Sequence, residues 1–405
     1  MSDLAVTLDS KLDVSHLSIQ PDGDEYTVGD VAADEFIRIP YEGVAAIRLL
    51  DGTRTLGEAQ AHLLASEEIE VDFLDFAETL LELKLVRSLD GQMLIEEAPQ
   101  AAEAKLGWTQ PLGNFLFGKG ALALYVLFAV ASVVMIAALP SVQPHYQDLF
   151  VFSSIGVSML VLFVWTWGLL LLHEVGHMLA AAGAGAPVRF KLSVRWMWVV
   201  VEAEMNGLWA KSRNARYVPF LAGMCWDTTV LFLSLLVQLW LPESGLLHRL
   251  AEMTALMMIY QLFSQLMIFL RTDLYFVLIT ATHAANLSGD AKLFLKRTFL
   301  PSTATREAWQ ALSHVERRHA TWFGLLYGVA GAVVAGLAGL VMIPAILDAV
   351  SRAWTEVASH SGSSLLFWDG MLVLLVTAAN LALYAAGTWS RYRGGRVQQK
   401  EAVES

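Results

Sequence analysis

The chain has 405 residues, 56% of them hydrophobic and only 16% charged, with a mean hydropathy of +0.50. That composition excludes an ordinary soluble enzyme and points to an integral membrane protein. The net charge of -12 disfavours a nucleic-acid partner, and a single cysteine, Cys225, excludes both a disulfide framework and a cysteine metal site.

Acidic residues far outnumber basic ones in the first hundred positions, so residues 1–97 read as an acidic soluble domain ahead of a membrane domain. The opening stretch, MSDLAVTLDSKLDV, has neither the basic start nor the apolar core of a secretory signal peptide. Residues 1–30 are polar and read as strands or loop. From Tyr41 an apolar stripe of Val44, Ile47, Leu49 and Leu50 predicts a helix that stops at the Asp51-Gly52 turn. Thr55 before Leu56, with Glu58 three residues on, predicts a capping box opening a second helix through about Leu64. A third helix is expected from about Asp72 to Leu85, with Phe73, Phe76, Leu80, Leu83 and Leu85 inward, followed by a short hairpin over 86–95. Three helices and a hairpin make a small winged-helix (α+β) module.

The runs Gly43–Glu58, Val71–Phe76 and Leu80–Val86 resemble the PqqD-like domains that recognise precursor peptides of ribosomally made natural products. The resemblance covers about residues 25–97. It implies a leader peptide as partner, added as an extra strand beside a β-former segment in residues 24–40, where Tyr26, Val28, Phe36, Ile37 and Ile39 lie. A structural cap without a ligand is the alternative.

Residues 98–120 read as a linker whose Trp108, Pro111, Phe115 and Phe117 suit a membrane interface. The remainder, 121–390, forms a mainly α, polytopic membrane domain. Its six candidate spans are 121–139, 150–178, 217–241, 252–270, 322–347 and 365–388. The connections alternate in charge. Residues 140–149 hold no Lys or Arg, 242–251 only Arg249 and the fifth connection only Arg352. By contrast 183–216 carries six basic residues, 271–318 carries seven, and the tail 391–405 carries Arg391, Arg393, Arg396 and Lys400. The positive-inside rule then puts both termini on the cytoplasmic side of a bacterial-type cell membrane, with the lipid bilayer as surroundings.

Residues 151–172 contain no Asp, Glu, Lys, Arg or His, yet the same segment runs on into His173-Glu174-Val175-Gly176-His177. On a helix, residues four apart share a face, so His173 and His177 can offer ring nitrogens to one metal ion. Glu174, one step round, can stay off the metal and act as the base for a water molecule. At about 1.5 Å per residue from Phe150, His173 comes after about 35 Å, near the cytoplasmic boundary. Ionisable groups at such a place are by default a functional site.

A hydrolytic zinc site wants a third protein ligand. His283, His314 and His319 lie in the long cytoplasmic connection, where a solvated histidine is expected. Asp273 sits at the cytoplasmic end of the fourth span and is better placed. His173–His177 together with Phe269–Phe276 resemble the site-2 protease class of intramembrane zinc metalloproteases, in which an Asp on a later span completes the HExxH site; Leu274 stands where that family has Gly. Leu221–Asp227 resembles the family's Gly-Pro-x-x-Asn segment, with Met224 for Pro and Asp227 for Asn. The resemblance covers roughly 150–290 and implies zinc as cofactor, His173, His177 and Asp273 as ligands and Glu174 as catalytic residue. Asp227 either orients a ligand histidine or helps hold substrate, or is an interfacial carboxylate.

Residues 187–210 are apolar but too interrupted for a span and predict a membrane-dipping hairpin, which either binds an unwound substrate by backbone pairing or simply packs at the interface. The last two spans either gate the site or pair protomers into a homo-oligomer. The expected function is a membrane zinc endopeptidase that trims a leader-bearing precursor peptide. Regulated cleavage of a membrane-anchored signalling protein, and a non-catalytic scaffold, export or self-protection factor, stand as alternatives.

Overall fold

In the computed structural model, residues 6–30, 35–94, 107–186, 188–195, 198–284 and 286–404 are described. Residues 95–106, the start of the expected linker, lie outside them, as do Trp196 and the side chains of the tail.

The N-terminal domain is built from two small antiparallel sheets and three helices. Strands β2 (Ser18–Asp22), β3 (Glu25–Asp30) and β4 (Glu35–Ile39) form one sheet in that order; β1 (Leu12–Asp13), β5 (Ser88–Leu89) and β6 (Gln92–Met93) form the other. The stretch 1–30, without clear periodicity, thus contains three of these strands. Helices α1 (Tyr41–Ile47), α2 (Leu56–Glu67) and α3 (Phe73–Glu82) stand close to their expected positions. The α2 capping box is present: Glu58 N–H donates to Thr55 Oγ1 at 3.2 Å and Thr55 N–H to Glu58 Oε2 at 3.0 Å. Asp72 accepts from Leu74 and Asp75 N–H at the start of α3. Asp90 and Gly91, with φ of 51° and 81°, supply the left-handed pair that a two-residue β5–β6 turn requires. Leu12, Val28, Val44, Leu56, Phe73, Leu80 and Leu89 close one core between helices and strands.

The rest of the molecule is mainly helical. Helix α4 (Thr109–Leu116) lies against the end of α6, where Gly113 touches Leu179 and Gly183 so closely that a Cβ would collide with backbone. Helices α5 (Lys119–Ala138), α6 (Ile155–Gly183) and α7 (Arg213–Trp240) follow, with a two-stranded hairpin, β7 (Arg189–Arg195) and β8 (Trp198–Glu204), between the last two. Then come α8 (Leu246–Ser264), α9 (Asp273–Thr282), α10 (Leu287–Phe299), α11 (Thr303–Ala311), α12 (His314–Leu337), α13 (Ile343–Ser359) and α14 (Leu365–Glu404). A π-helical turn, Ala338–Met342, joins α12 to α13.

Five helices among the described residues are long and apolar enough to cross a membrane: α5, α6, α7, α12 with its extension to Leu340, and α14 as far as Trp389. Val126, Leu127, Val130, Val133 and Val134 of α5 are exposed, as side chains facing lipid would be. The expected fourth span, 252–270, is not among the five. Its helix starts earlier, in a turn carrying His248, Arg249 and Glu252, and ends at Ser264, before a 3-10 turn over Ile268–Leu270. Gln261, Ser264 and Gln265 dilute its apolar character, and all three bond inside the protein. The second span begins at Ile155 rather than at 150, with Ser154 capping it.

Helices α6 and α7 approach closely because Gly176 meets Ala222: a Cβ at Gly176 would lie 3.1 Å from the Ala222 carbonyl oxygen. Helix α8 packs on α7 through Leu231, Leu235, Ala255 and Met258. The Asp369 carboxylate on α14 accepts from Gly156 N–H at 2.7 Å and also bonds Ser154 Oγ, tying α14 to the start of α6. These contacts fix α6 on three sides, and α6 carries the cluster of ionisable residues.

Candidate metal centre

His173, Glu174 and His177 occupy the C-terminal third of α6, each at most 6% exposed. Their donor atoms lie within 4.8 Å of one another, a group that could hold a metal ion. Asp273, the first residue of α9, reaches the same point. Its Oδ2 is 3.1 Å from His173 Nε2 and 3.2 Å from His177 Nε2, and the two Nε2 atoms are 3.1 Å apart.

Both imidazoles are fixed from behind. His173 Nδ1 donates to Asp227 Oδ2 at 2.8 Å, and His177 Nδ1 donates to the Pro219 carbonyl at 2.8 Å. With Nδ1–H committed, each neutral ring presents a bare Nε2 lone pair. Two lone pairs and a carboxylate oxygen, mutually within 3.2 Å, repel unless a proton or a metal ion sits between them. Donors 2.0–2.1 Å from one tetrahedral ion would stand about 3.3 Å apart, so the three atoms have the spacing of a ligand set. The donor set therefore fits a metal ion on the chemistry of its own hydrogen bonds.

The elements that place these groups were only partly legible. Asp227, on α7, is 2% exposed and takes a second bond from Gln261 Nε2 of α8 at 3.1 Å. Gln265, one turn on, accepts from Asp273 N–H at 3.0 Å through Oε1, while its backbone carbonyl accepts from Thr272 Oγ1 at 2.7 Å. One turn of α8 thus holds both the carboxylate behind His173 and the N-terminus of α9. Gly223 leaves room for the imidazoles: a Cβ there would overlap both rings. Pro219, Gln261, Gln265 and Thr272 carry no functional signature of their own in the sequence, apart from the i, i+4 pair of glutamines in an apolar run. The other histidines weighed as ligands lie elsewhere, His283 against Asp22 of the N-terminal domain and His314 and His319 on α12.

The Glu174 carboxylate faces β8, where it accepts from Ala203 N–H at 2.6 Å. Ala203 therefore turns its N–H away from β7. By antiparallel alternation the backbone groups of Val201 and Val199 turn the same way. All three line a cavity of about 1200 Å³ that also contains His173, Glu174, His177 and Asp273. Leu162, Phe220, Leu256, Phe269 and Phe276 give it apolar walls, and Arg271 and Lys292 also border it.

Comparison with protein-family models, curated proteins and solved structures finds no match to this chain.

Proposed function

We propose that the protein is a membrane-embedded zinc endopeptidase of site-2 protease type, acting on a leader-bearing precursor peptide. The observation that carries the reading is the convergence of two tautomer-fixed Nε2 lone pairs and the Asp273 carboxylate beside Glu174, inside a cavity. His173, His177 and Asp273 would hold the ion. Zinc bound there supplies Lewis acidity and brings the ionisation of water near neutral pH.

Glu174 takes the proton that water loses as its oxygen attacks the carbonyl carbon of the peptide bond, then hands it to the leaving nitrogen as the C–N bond breaks. Asp227 and the Pro219 carbonyl hold the ring orientations throughout. The outward edge of β8 receives the substrate as an added strand, which unwinds it and exposes the bond to attack.

In this reading α8 is the sixth span. Its 19 residues reach about 28 Å, and the charge of the basic connections favours both termini and the site lying toward the cytoplasm. The N-terminal domain recruits the leader. β3 is paired on both sides by β2 and β4, so the leader adds to β4 at the edge of the sheet.

Glu174→Gln in the full chain is the direct test. Zinc content by elemental analysis should stay at the wild-type level while hydrolysis disappears. Turnover that persists in this variant removes the mechanism.

A further inference from the structure

Among the described residues, the N-terminal domain meets the helical part around the β2–β3 turn and Arg38 of the neighbouring β4. Asp22-Gly23-Asp24-Glu25 closes the β2–β3 hairpin, and the Asp22 carboxylate, 4% exposed, places Oδ2 2.9 Å from Nη1 of Arg216 near the start of α7. Arg216 is fully buried. Its other N–H groups donate to the carbonyls of Lys211 at 3.0 Å and Trp209 at 3.1 Å, and its guanidinium lies 4.9 Å from the Trp209 ring centroid. Across the turn, Asp22 Oδ1 is 3.4 Å from His283 Nδ1, and Arg38 donates to the backbone carbonyls of Asp22 and His283. Gly23, at φ +77°, sits so tightly on the His283 ring that a Cβ would overlap it. A guanidinium this deep depends on its carboxylate, because removing one partner leaves the other charge buried and uncompensated.

The latch lies one side chain from the cavity. Trp209 belongs to the 3-10 turn Asn206–Ala210 that directly follows β8. Its ring is 6.1 Å from that of Phe220, which stacks on Phe276 at 5.4 Å, and all three line the cavity around the candidate metal centre. Arg216 is one turn from Pro219, and His283 caps the helix that Asp273 begins. The same turn of the N-terminal domain thus bears on β8, on α7 and on α9.

We propose that Asp22 and Arg216 are positioning residues of the catalytic cavity. The N-terminal domain, besides capturing a leader, props the cavity wall and the β8 edge, so hydrolysis of a polypeptide with no leader also needs the latch. This rests on the hydrolytic reading above.

The test uses the full zinc-loaded chain in detergent, with β-casein as a disordered substrate lacking a leader. In Asp22→Asn, zinc content should match wild type, kcat should fall at least tenfold, KM should stay within twofold, and amides of residues 199–211 should exchange hydrogen faster while those of α5 do not change. An unchanged kcat, or a loss confined to KM, overturns the proposal. If wild type does not cleave casein, hydrogen exchange alone decides: faster exchange at 199–211 upholds the prop and unchanged exchange overturns it, while the hydrolytic reading is judged by its own test. Should Asp22→Asn fail to fold, Asp22→Glu, which keeps the charge and alters the reach, is read by the same criteria.

Discussion

Each ring of the His173/His177 pair commits Nδ1 to an acceptor on α7 and so leaves Nε2 for the shared point. Asp227→Asn would keep the shape and lose the charge that holds His173. Metal affinity measured by chelator competition should fall about 10- to 100-fold, the usual cost of losing such a partner. Gly223→Ala probes the same point sterically, since its methyl group would enter the space of both imidazoles. It should lower metal affinity at least as far as Asp227→Asn, with far-UV circular dichroism unchanged.

At the level of elements, α8 and α9 work as a pair, because Gln261 and Gln265 tie the end of one to the Asp227 carboxylate and to the start of the other. Helix α10 depends on a different balance. Burial, reinforced by Glu316 of α12, pushes the Asp290 carboxyl up to about 6. The folded chain therefore holds this proton more tightly than the unfolded chain, whose carboxyl ionises near pH 4, and stability drains away as pH rises from about 4 to 6. Asp290→Asn should raise the melting midpoint at pH 7 and leave it nearly unchanged at pH 4. Local signals in the sequence foretold much here: the Thr55–Glu58 box, the Asp51-Gly52 stop, the HExxH helix and the hairpin between α6 and α7. The partners Pro219, Gln261 and Asp22 left no such mark. They meet His177, Asp227 and Arg216 across 42, 34 and 194 residues of chain, a separation over which composition and periodicity carry nothing. Helix α8 ends at Ser264, short of the expected 270: Phe269 and Leu270 extend the apolar run past the glutamines that turn inward.

For the whole molecule, the number of crossings fixes which side each loop faces. Cys225 is the only cysteine, so Cys225→Ser gives a background for single probes. With six spans, Ser141→Cys and Ser361→Cys should react with a membrane-impermeant maleimide on intact cells, and Ala304→Cys only after permeabilisation; labelling of Ser141→Cys and Ala304→Cys from outside, with Ser361→Cys protected, would count α8 out as a span. The interdomain latch has its own acid limit. Burial raises the Asp22 carboxyl, but the bond and charge of Arg216, with Arg38, outweigh it and hold it below the usual carboxylate range. The latch is then fully formed above about pH 4 and lost as pH falls below that value. Hydrogen exchange at the β2–β3 turn, corrected for intrinsic rate, should rise on acidification below pH 4 and stay flat from pH 5 to 7.

If the cavity hydrolyses peptides, the bond from Ala203 N–H to Glu174 serves as a safety catch. In the hydrolytic reading, the carboxylate that must accept water's proton is engaged by the strand edge a substrate has to approach. A chain long enough to grip that edge can shift it and free the base in the same movement. A dipeptide that reaches the ion without gripping the edge leaves the catch on, so stray small peptides would pass through the cavity uncut.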